Sequence, residues 1–233
     1  MPKPISARPD AVPGRSDPLA FWRAWLRSPA GIGAVAPSGR ALARAMARAT
    51  RAVRDSGDGA VVELGAGTGS VTRALLEAGI APSRLIVIER EPALARILSG
   101  RFPGLNVLAR DARDLPAILA EHGRTHADVV VSSLPLLAMP RPMRSAIVAA
   151  AAAALRPGGR IVQFTYGPAS PLGDLAPEAG LCGRRDARAW LNLPPATVWC
   201  YEHDAATNGQ AAQPRAEPSS GMTALSGRDQ ATE

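Results

Sequence analysis

Two carboxylates and three glycines, all between residues 63 and 89, are the residues best placed to do chemistry. Glu63 lies in the apolar run Val61-Val62-Glu63-Leu64, and Gly65, Gly67 and Gly69 follow, with Ala66 and Thr68 between them. Glycines in such a turn let the backbone come close to a ligand where any side chain would collide. Glu89 ends a second apolar run, Leu85-Ile86-Val87-Ile88. A carboxylate at that distance from a glycine turn can accept both hydroxyls of a ribose. A third run, Leu105 to Ala109, leads into Arg110-Asp111-Ala112. The plainer reading keeps the glycines for packing and the acids for helix caps or solvated strand ends. The shared spacing of the acids favours a ligand. The dinucleotide fingerprint wants its third glycine one position after Gly69, and that place holds Ser70.

The order acid, Leu, Gly, any residue, Gly, Thr, Gly resembles the first motif of class I S-adenosylmethionine (SAM) methyltransferases. The resemblance implies SAM as cofactor, held by Glu63, Gly65, Gly67, Thr68, Gly69, Glu89 and Arg90. It also implies that Asp111 accepts from the adenine amino group and that the Ala112 backbone meets the ring. The loop Gly33 to Pro37 and Ser38 are expected over the methionine moiety, with Ser38 also capping a helix.

The elements that must position these residues follow from periodicity. Strands are expected at 61–64, 85–89, 105–109, 128–132 and 160–165, with helices at 70–78, 92–99, 114–121 and 142–155 between them. Such alternation requires right-handed crossovers and a parallel sheet covered on both faces. Arg156-Pro157-Gly158-Gly159 reads as the turn before the fifth strand. Leu181 to Leu191 and Ala196 to Glu202 read as an antiparallel pair. The fold class is therefore α/β: a class I methyltransferase (Rossmann-like) sheet, mostly parallel with a terminal antiparallel hairpin, preceded by N-terminal amphipathic helices. Residues 1–17 read as a disordered N-terminus, 18–58 as the amphipathic helices, 59–204 as the SAM-dependent methyltransferase domain and 205–233 as a disordered tail.

The chain has 233 residues and a net charge of +7, a balance that invites a nucleic-acid partner. The excess is local, however. Eight arginines stand between Arg15 and Arg54 against one acid, Asp17, while Ala60 to His203 holds fifteen arginines and twelve acids. The two cysteines, Cys182 and Cys200, fit neither a metal-ligand pattern nor a disulfide framework, and packing is their expected role. The apolar stretch Ala146 to Leu155 is far short of the ~20 residues a membrane span needs, and no signal-peptide core is read at the N-terminus. The expected location is cytoplasmic, peripherally associated with the inner face of the cell membrane.

Two N-terminal helices carry the surface argument. The first, Pro18 to Arg27 with Asp17 as cap, sets Phe21, Trp22 and Trp25 beside Arg23 and Arg27. That mixture suits a membrane–water interface. The second, Gly39 to Arg54, aligns Arg40, Arg44, Arg48 and Arg51 on one face, opposite Leu42, Met46 and Ala49. The stripe suits anionic headgroups; an ordinary cover helix with solvated arginines is the bland alternative.

The acceptor should lie at the end of the fourth strand, at Ser133-Leu134-Pro135-Leu136. Enzymes that methylate an adenine amino group carry an amide or acid and a stacking aromatic there, and this chain has neither. Nucleic acid is therefore not the expected partner. Phe21-Trp22-Arg23, Gly33 to Ser38, Glu63 to Gly69, Ser133 to Leu137, Leu155 to Gly159, Gln163-Phe164-Thr165-Tyr166-Gly167-Pro168 and Asn192-Leu193-Pro194-Pro195-Ala196 together resemble the bacterial soluble-type phospholipid N-methyltransferases. The resemblance spans residues 19 to 203. It implies a peripheral membrane enzyme that methylates the amine of phosphatidylethanolamine, in up to three steps, towards phosphatidylcholine. One departure is the short link between Pro171 and Leu181, which holds few hydrophobics.

In-line displacement from a sulfonium asks mainly for positioning in a dry site. Tyr166, past the fifth strand, is the candidate to grip the substrate ammonium by hydroxyl or ring face; capping the sheet end is its alternative. Ser133 and Leu134 are expected to border the transferred methyl through backbone groups. His122, His126 and His203 fall in no motif. An RNA (adenine) N-methyltransferase and a non-enzymatic SAM- or membrane-binding protein are the competing functions.

Overall fold

The computed structural model describes residues 37–51, 59–166, 169–189 and 195–203. The first N-terminal helix with Trp22 and Trp25, the loop Gly33 to Ala36, the segment 190–194 and the tail beyond residue 204 lie outside the described residues.

The elements are α1 (Pro37–Ala49), β1 (Ala60–Leu64), α2 (Ser70–Glu77), β2 (Leu85–Ile88), α3 (Pro92–Arg101), β3 (Asn106–Leu108), α4 (Leu115–Glu121), β4 (Ala127–Ser132), α5 (Arg141–Ala154), β5 (Leu155–Tyr166), α6 (Leu175–Glu178), β6 (Leu181–Ala189) and β7 (Ala196–His203). They build a seven-stranded sheet of order β3-β2-β1-β4-β5-β7-β6. The pairs among β1 to β5 are parallel, whereas β7 runs antiparallel to both β5 and β6. Strands β1, β2 and β4 are buried along their whole length. Unbroken apolar runs suit a sheet with both faces covered.

Each face has its own core. On one, Val62, Leu64, Val130 and Ile161 pack with Ile118 and Leu119 of α4 and Ile147 and Val148 of α5. On the other, Val61, Val129, Val131 and Val162 pack with Met46 of α1, Leu75 of α2 and Leu98 of α3. Ala43, Ala45, Ala47 and Ala49 are also buried there, so α1 lies close against its neighbours. Arg40, Arg44, Arg48 and Arg51 are exposed, as the stripe requires.

Several expectations need correcting. The helix read as Gly39 to Arg54 begins earlier, at Pro37, and α1 ends at Ala49, with Thr50 in a turn, Arg51 helical again and 52–54 outside the described residues; proline is favoured at a first helical position because its missing N–H costs nothing there. Ser38 therefore sits within the first turn rather than at the cap. The expected turn 156–159 is part of β5, where the pairing jumps from Ala127↔Leu155 to Val129↔Arg160. Four residues, 156–159, stand opposite Asp128 alone, so the Pro-Gly-Gly stretch loops out within the strand, with Gly158 at φ 74. The link 171–181 is better packed than its composition suggests, because Leu172 and Leu175 are each only 1% exposed. Of the two cysteines Cys200 is buried, as a packing role requires, whereas Cys182 is exposed. No helix among the described residues is long and apolar enough to cross a membrane.

Candidate active site

The loops after β1, β2, β3 and β4 all emerge at the carboxyl edge of the parallel strands, the edge where open α/β sheets form their ligand crevice. Leu64 ends β1, and the Gly65 N–H donates to the Ile88 carbonyl at 2.8 Å. Gly65, Gly67 and Gly69 then adopt φ of 72, 54 and 80, a region costly for any residue bearing a Cβ. The Gly69 N–H donates to Ala66 at 2.8 Å and closes the turn. A Cβ on Gly65 would stand 2.6 Å from the Leu134 side chain, and one on Gly69 would stand 2.7 Å from both Leu98 and Phe102. Packing is thus one function of two of these glycines. The contact at Gly65 also seats the loop after β4 directly on the turn.

Glu89 faces this turn from the end of β2. Its Oε2 accepts from the Gly67 N–H at 2.9 Å and its Oε1 from the Glu91 N–H at 3.0 Å. With one protein donor on each oxygen, each keeps capacity for another. Glu63 is wholly buried, and neither carboxyl oxygen has a hydrogen-bond partner among the described residues. Burial pushes its pKa up from 4.5 to about 7. The nearby Thr72 hydroxyl and amide pull it down by less, and the Glu89 charge adds to the rise.

The remaining expected residues sit around this pair. Thr68 lies in the turn, its hydroxyl 3.4 Å from that of Ser70, and its carbonyl accepts from Arg101. Arg90 is exposed beside Glu89. The Asp111 carboxylate is occupied by Arg113, accepting from its N–H at 3.0 Å and its guanidinium at 3.0 and 2.9 Å. Those bonds hold its pKa below the usual carboxylate range. Ala112, buried, begins the short turn that Asp111 caps.

At the end of β4 the Ser133 N–H donates to Leu64 at 2.9 Å. The Leu134 carbonyl accepts from the Gln163 side-chain amide at 3.0 Å, and Phe164 accepts from the same nitrogen at 3.0 Å. Gln163 had no role from sequence, yet it fixes the loop that touches Gly65. Its place at the head of the Gln163 to Pro168 stretch, a single glutamine inside an apolar strand, was the signal available. The Ser133 hydroxyl and the Gln163 Oε1 are buried without a partner among the described residues. Tyr166 ends β5, 40% exposed, with its ring edge-on to Phe164 at 5.4 Å and 80°. His122 and His203 each place a ring nitrogen on a helix carbonyl, of Ile118 and Ala152, so both act within the fold.

A parallel sheet of this order, with a glycine turn after β1 and a reversed final hairpin, is the Rossmann-like methyltransferase fold. Residues 61–159 match the family model described as a methyltransferase domain. Among solved structures, 1,6-didemethyltoxoflavin-N1-methyltransferase of Burkholderia thailandensis superposes with a TM-score of 0.59 at 16% identity, covering 84% of this chain and 94% of that one. Magnesium protoporphyrin IX methyltransferase of Synechocystis PCC 6803 gives 0.57 at 13% identity, covering 83% and 100%. At these identities the likeness is one of fold.

A nearer relative in sequence is the ornithine lipid N-methyltransferase of Singulisphaera acidiphila, 39% identical over 111 residues. The alignment takes in 46% of this chain and 58% of that protein, so the chain spans rather more than half the length of this curated relative.

Proposed function

We propose that this protein transfers methyl groups from SAM to the primary amine of a membrane amino-lipid. The observation that carries the reading is the pairing of two carboxylates, Glu63 and Glu89, around one left-handed glycine turn. The residues fit the cofactor. Glu89 has acceptor capacity left for two ribose hydroxyls, and the orphaned, buried Glu63 suits the ammonium of the methionine moiety. The structures of the Burkholderia and Synechocystis enzymes contain S-adenosylhomocysteine and SAM respectively.

Bound there, SAM supplies an electrophilic methyl on a sulfonium. The chain's own residues position and dehydrate. Gly65, Gly67, Thr68 and Gly69 would bring backbone up to the cofactor, Asp111 and Ala112 would border the adenine, and Arg90 and Ser38 would flank it. Ser133 and Leu134, held by Gln163, border the transferred methyl. The Tyr166 hydroxyl or ring face takes the substrate ammonium, which must lose a proton before it attacks. A phenol ring also tolerates a headgroup that becomes quaternary.

The lipid part of the reading is supported by the relative's acceptor and by the apolar run after β4, where Leu137 is 52% exposed. Phosphatidylethanolamine, methylated stepwise towards phosphatidylcholine, is one acceptor; ornithine lipid is the other. Both present a primary amine at a membrane surface. The exposed stripe Arg40, Arg44, Arg48 and Arg51, with Trp22 and Trp25 ahead of it in sequence, would hold the enzyme on anionic lipid.

The test is methyl transfer from radiolabelled SAM to vesicles of phosphatidylethanolamine or ornithine lipid, with the lipids extracted and separated. Label in either lipid supports the reading, and the products count the methyls. Intact SAM binding with no label in any lipid would overturn it.

A further inference from the structure

Helix α5 carries two arginines near its start, and they meet different fates. Arg141 pairs with Asp174 at 2.8 Å and Glu178 at 2.5 Å. Arg144 is half-buried, and its Nε is buried without a hydrogen-bond partner among the described residues. Helix α5 contains no acid, and the acids of the neighbouring α6 and its cap are those Arg141 takes. A sheltered guanidinium nitrogen left unpaired is costly unless something else supplies the acceptor.

The position of Arg144 says what could. Helix α5 begins at the carboxyl edge, directly after the β4 loop, and runs back towards the amino edge. Ile147, Val148 and Ala151 on its inner face line a small cavity with Ser132, Gln163 and Leu172. Arg144 precedes Val148 by one turn, so it continues that inner stripe towards the carboxyl edge. The Gln163 Oε1, an orphaned polar atom of the clamp on the acceptor loop, belongs to a residue that lines this same cavity.

We propose that Arg144 binds the anionic group of the acceptor lipid, the phosphodiester or carboxylate a few bonds from its amine, and so selects amines that carry a neighbouring anion. This rests on the lipid-amine reading above. Phosphatidylethanolamine bears a phosphodiester and ornithine lipid a carboxylate, and a guanidinium fork suits either. Arg144 would fix the headgroup from one side while the reacting nitrogen reaches the methyl.

The experiment compares wild type with Arg144→Met and Arg144→Lys in uncharged detergent micelles, which removes general attraction to an anionic surface. Three acceptors are used: phosphatidylethanolamine, ornithine lipid and octadecylamine, which has an amine and no anion. Arg144→Met is expected to raise KM for an anion-bearing lipid about tenfold or more, the scale of a lost charge-assisted hydrogen bond, with kcat nearly unchanged. Arg144→Lys should recover part of the loss. Octadecylamine should be methylated equally by all three proteins, and S-adenosylhomocysteine affinity should not move, which reports an intact fold. A loss confined to one lipid supports the proposal and names phosphate or carboxylate as the anion.

Unchanged KM for both anionic lipids in Arg144→Met, with wild type active, would overturn the anion site while leaving the lipid reading standing. Equal losses on octadecylamine would also overturn it. Wild type that labels none of the three acceptors removes the lipid reading and the anion site together.

Discussion

Replacing Glu63 by glutamine separates the electrostatic argument from the packing one. Glu63 is fully buried, and burial raises its pKa from 4.5 to about 7. The neutral form is therefore favoured in the folded state. The stability this confers is complete below pH 4.5 and is lost as pH rises through about 7. The shift corresponds to about 3 kcal/mol of folding free energy lost across that window. Glutamine keeps the shape and cannot titrate, although its buried amide costs ~1–3 kcal/mol at all pH values if it stays unpaired. The decisive quantity is therefore the pH slope rather than the absolute stability. Urea denaturation from pH 4.5 to 8 should show wild type falling relative to Glu63→Gln. A bound ammonium reverses the preference, because it stabilises the carboxylate. Wild type should then release a proton on binding S-adenosylhomocysteine at pH 6.5, measured by calorimetry in buffers of different ionisation enthalpy, and Glu63→Gln should not. Parallel stability–pH curves for the two proteins would refute the reasoning.

Gly65→Ala should destabilise by about 1–3 kcal/mol, from left-handed backbone and the approach to Leu134. Adding Leu134→Ala should relieve only the steric part of the Gly65→Ala effect, as a denaturant-unfolding cycle would reveal. Asp128, 2% exposed and paired with Arg84 at 2.9 Å and with Arg156, is a buried ionic hub at the amino edge. Asp128→Asn should lower stability by about 2–4 kcal/mol, since it removes the buried negative charge that two guanidiniums share, and thermal unfolding would register it without loss of S-adenosylhomocysteine affinity per folded molecule. Changing Arg40, Arg44, Arg48 and Arg51 together to glutamine should weaken binding to anionic vesicles, most at low salt, and leave cofactor affinity unchanged in titration calorimetry.

The alternation of strands and helices was legible because β2 is wholly apolar and β1 and β4 are apolar apart from Glu63, Asp128 and Ser132, a pattern that buried parallel strands favour. Segments 156–159 misled because Pro-Gly-Gly is turn chemistry whether the chain turns or merely bulges. The helix start at Pro37 was available from the first-position preference of proline, but Ser38 offered a competing cap. At the site, the spacing of Glu63, the glycines and Glu89 is enough to bring these residues together at one strand edge. The engagement of Asp111 by Arg113 is a local pairing that the Asp-Ala-Arg order could have suggested. Gln163 stood in a quoted stretch, but its role was not legible, and Arg144 was not legible at all. Their meaning comes from burial and the absence of partners, which only tertiary structure reveals.

The order of the last three strands has a consequence for biosynthesis. Strand β6 is made before β7, yet its ladder pairing is with β7, which lies between it and β5. Until Ala196–His203 has left the ribosome, β5 presents an open edge with Val162 and Phe164 along it, and Leu181–Ala189 has no strand to join. A nascent chain paused before residue 196 would thus expose the pairing surface that promotes association between copies. Strand β7 pairs with both β5 and β6, so synthesis through His203 is the step that takes a five-stranded sheet to seven strands.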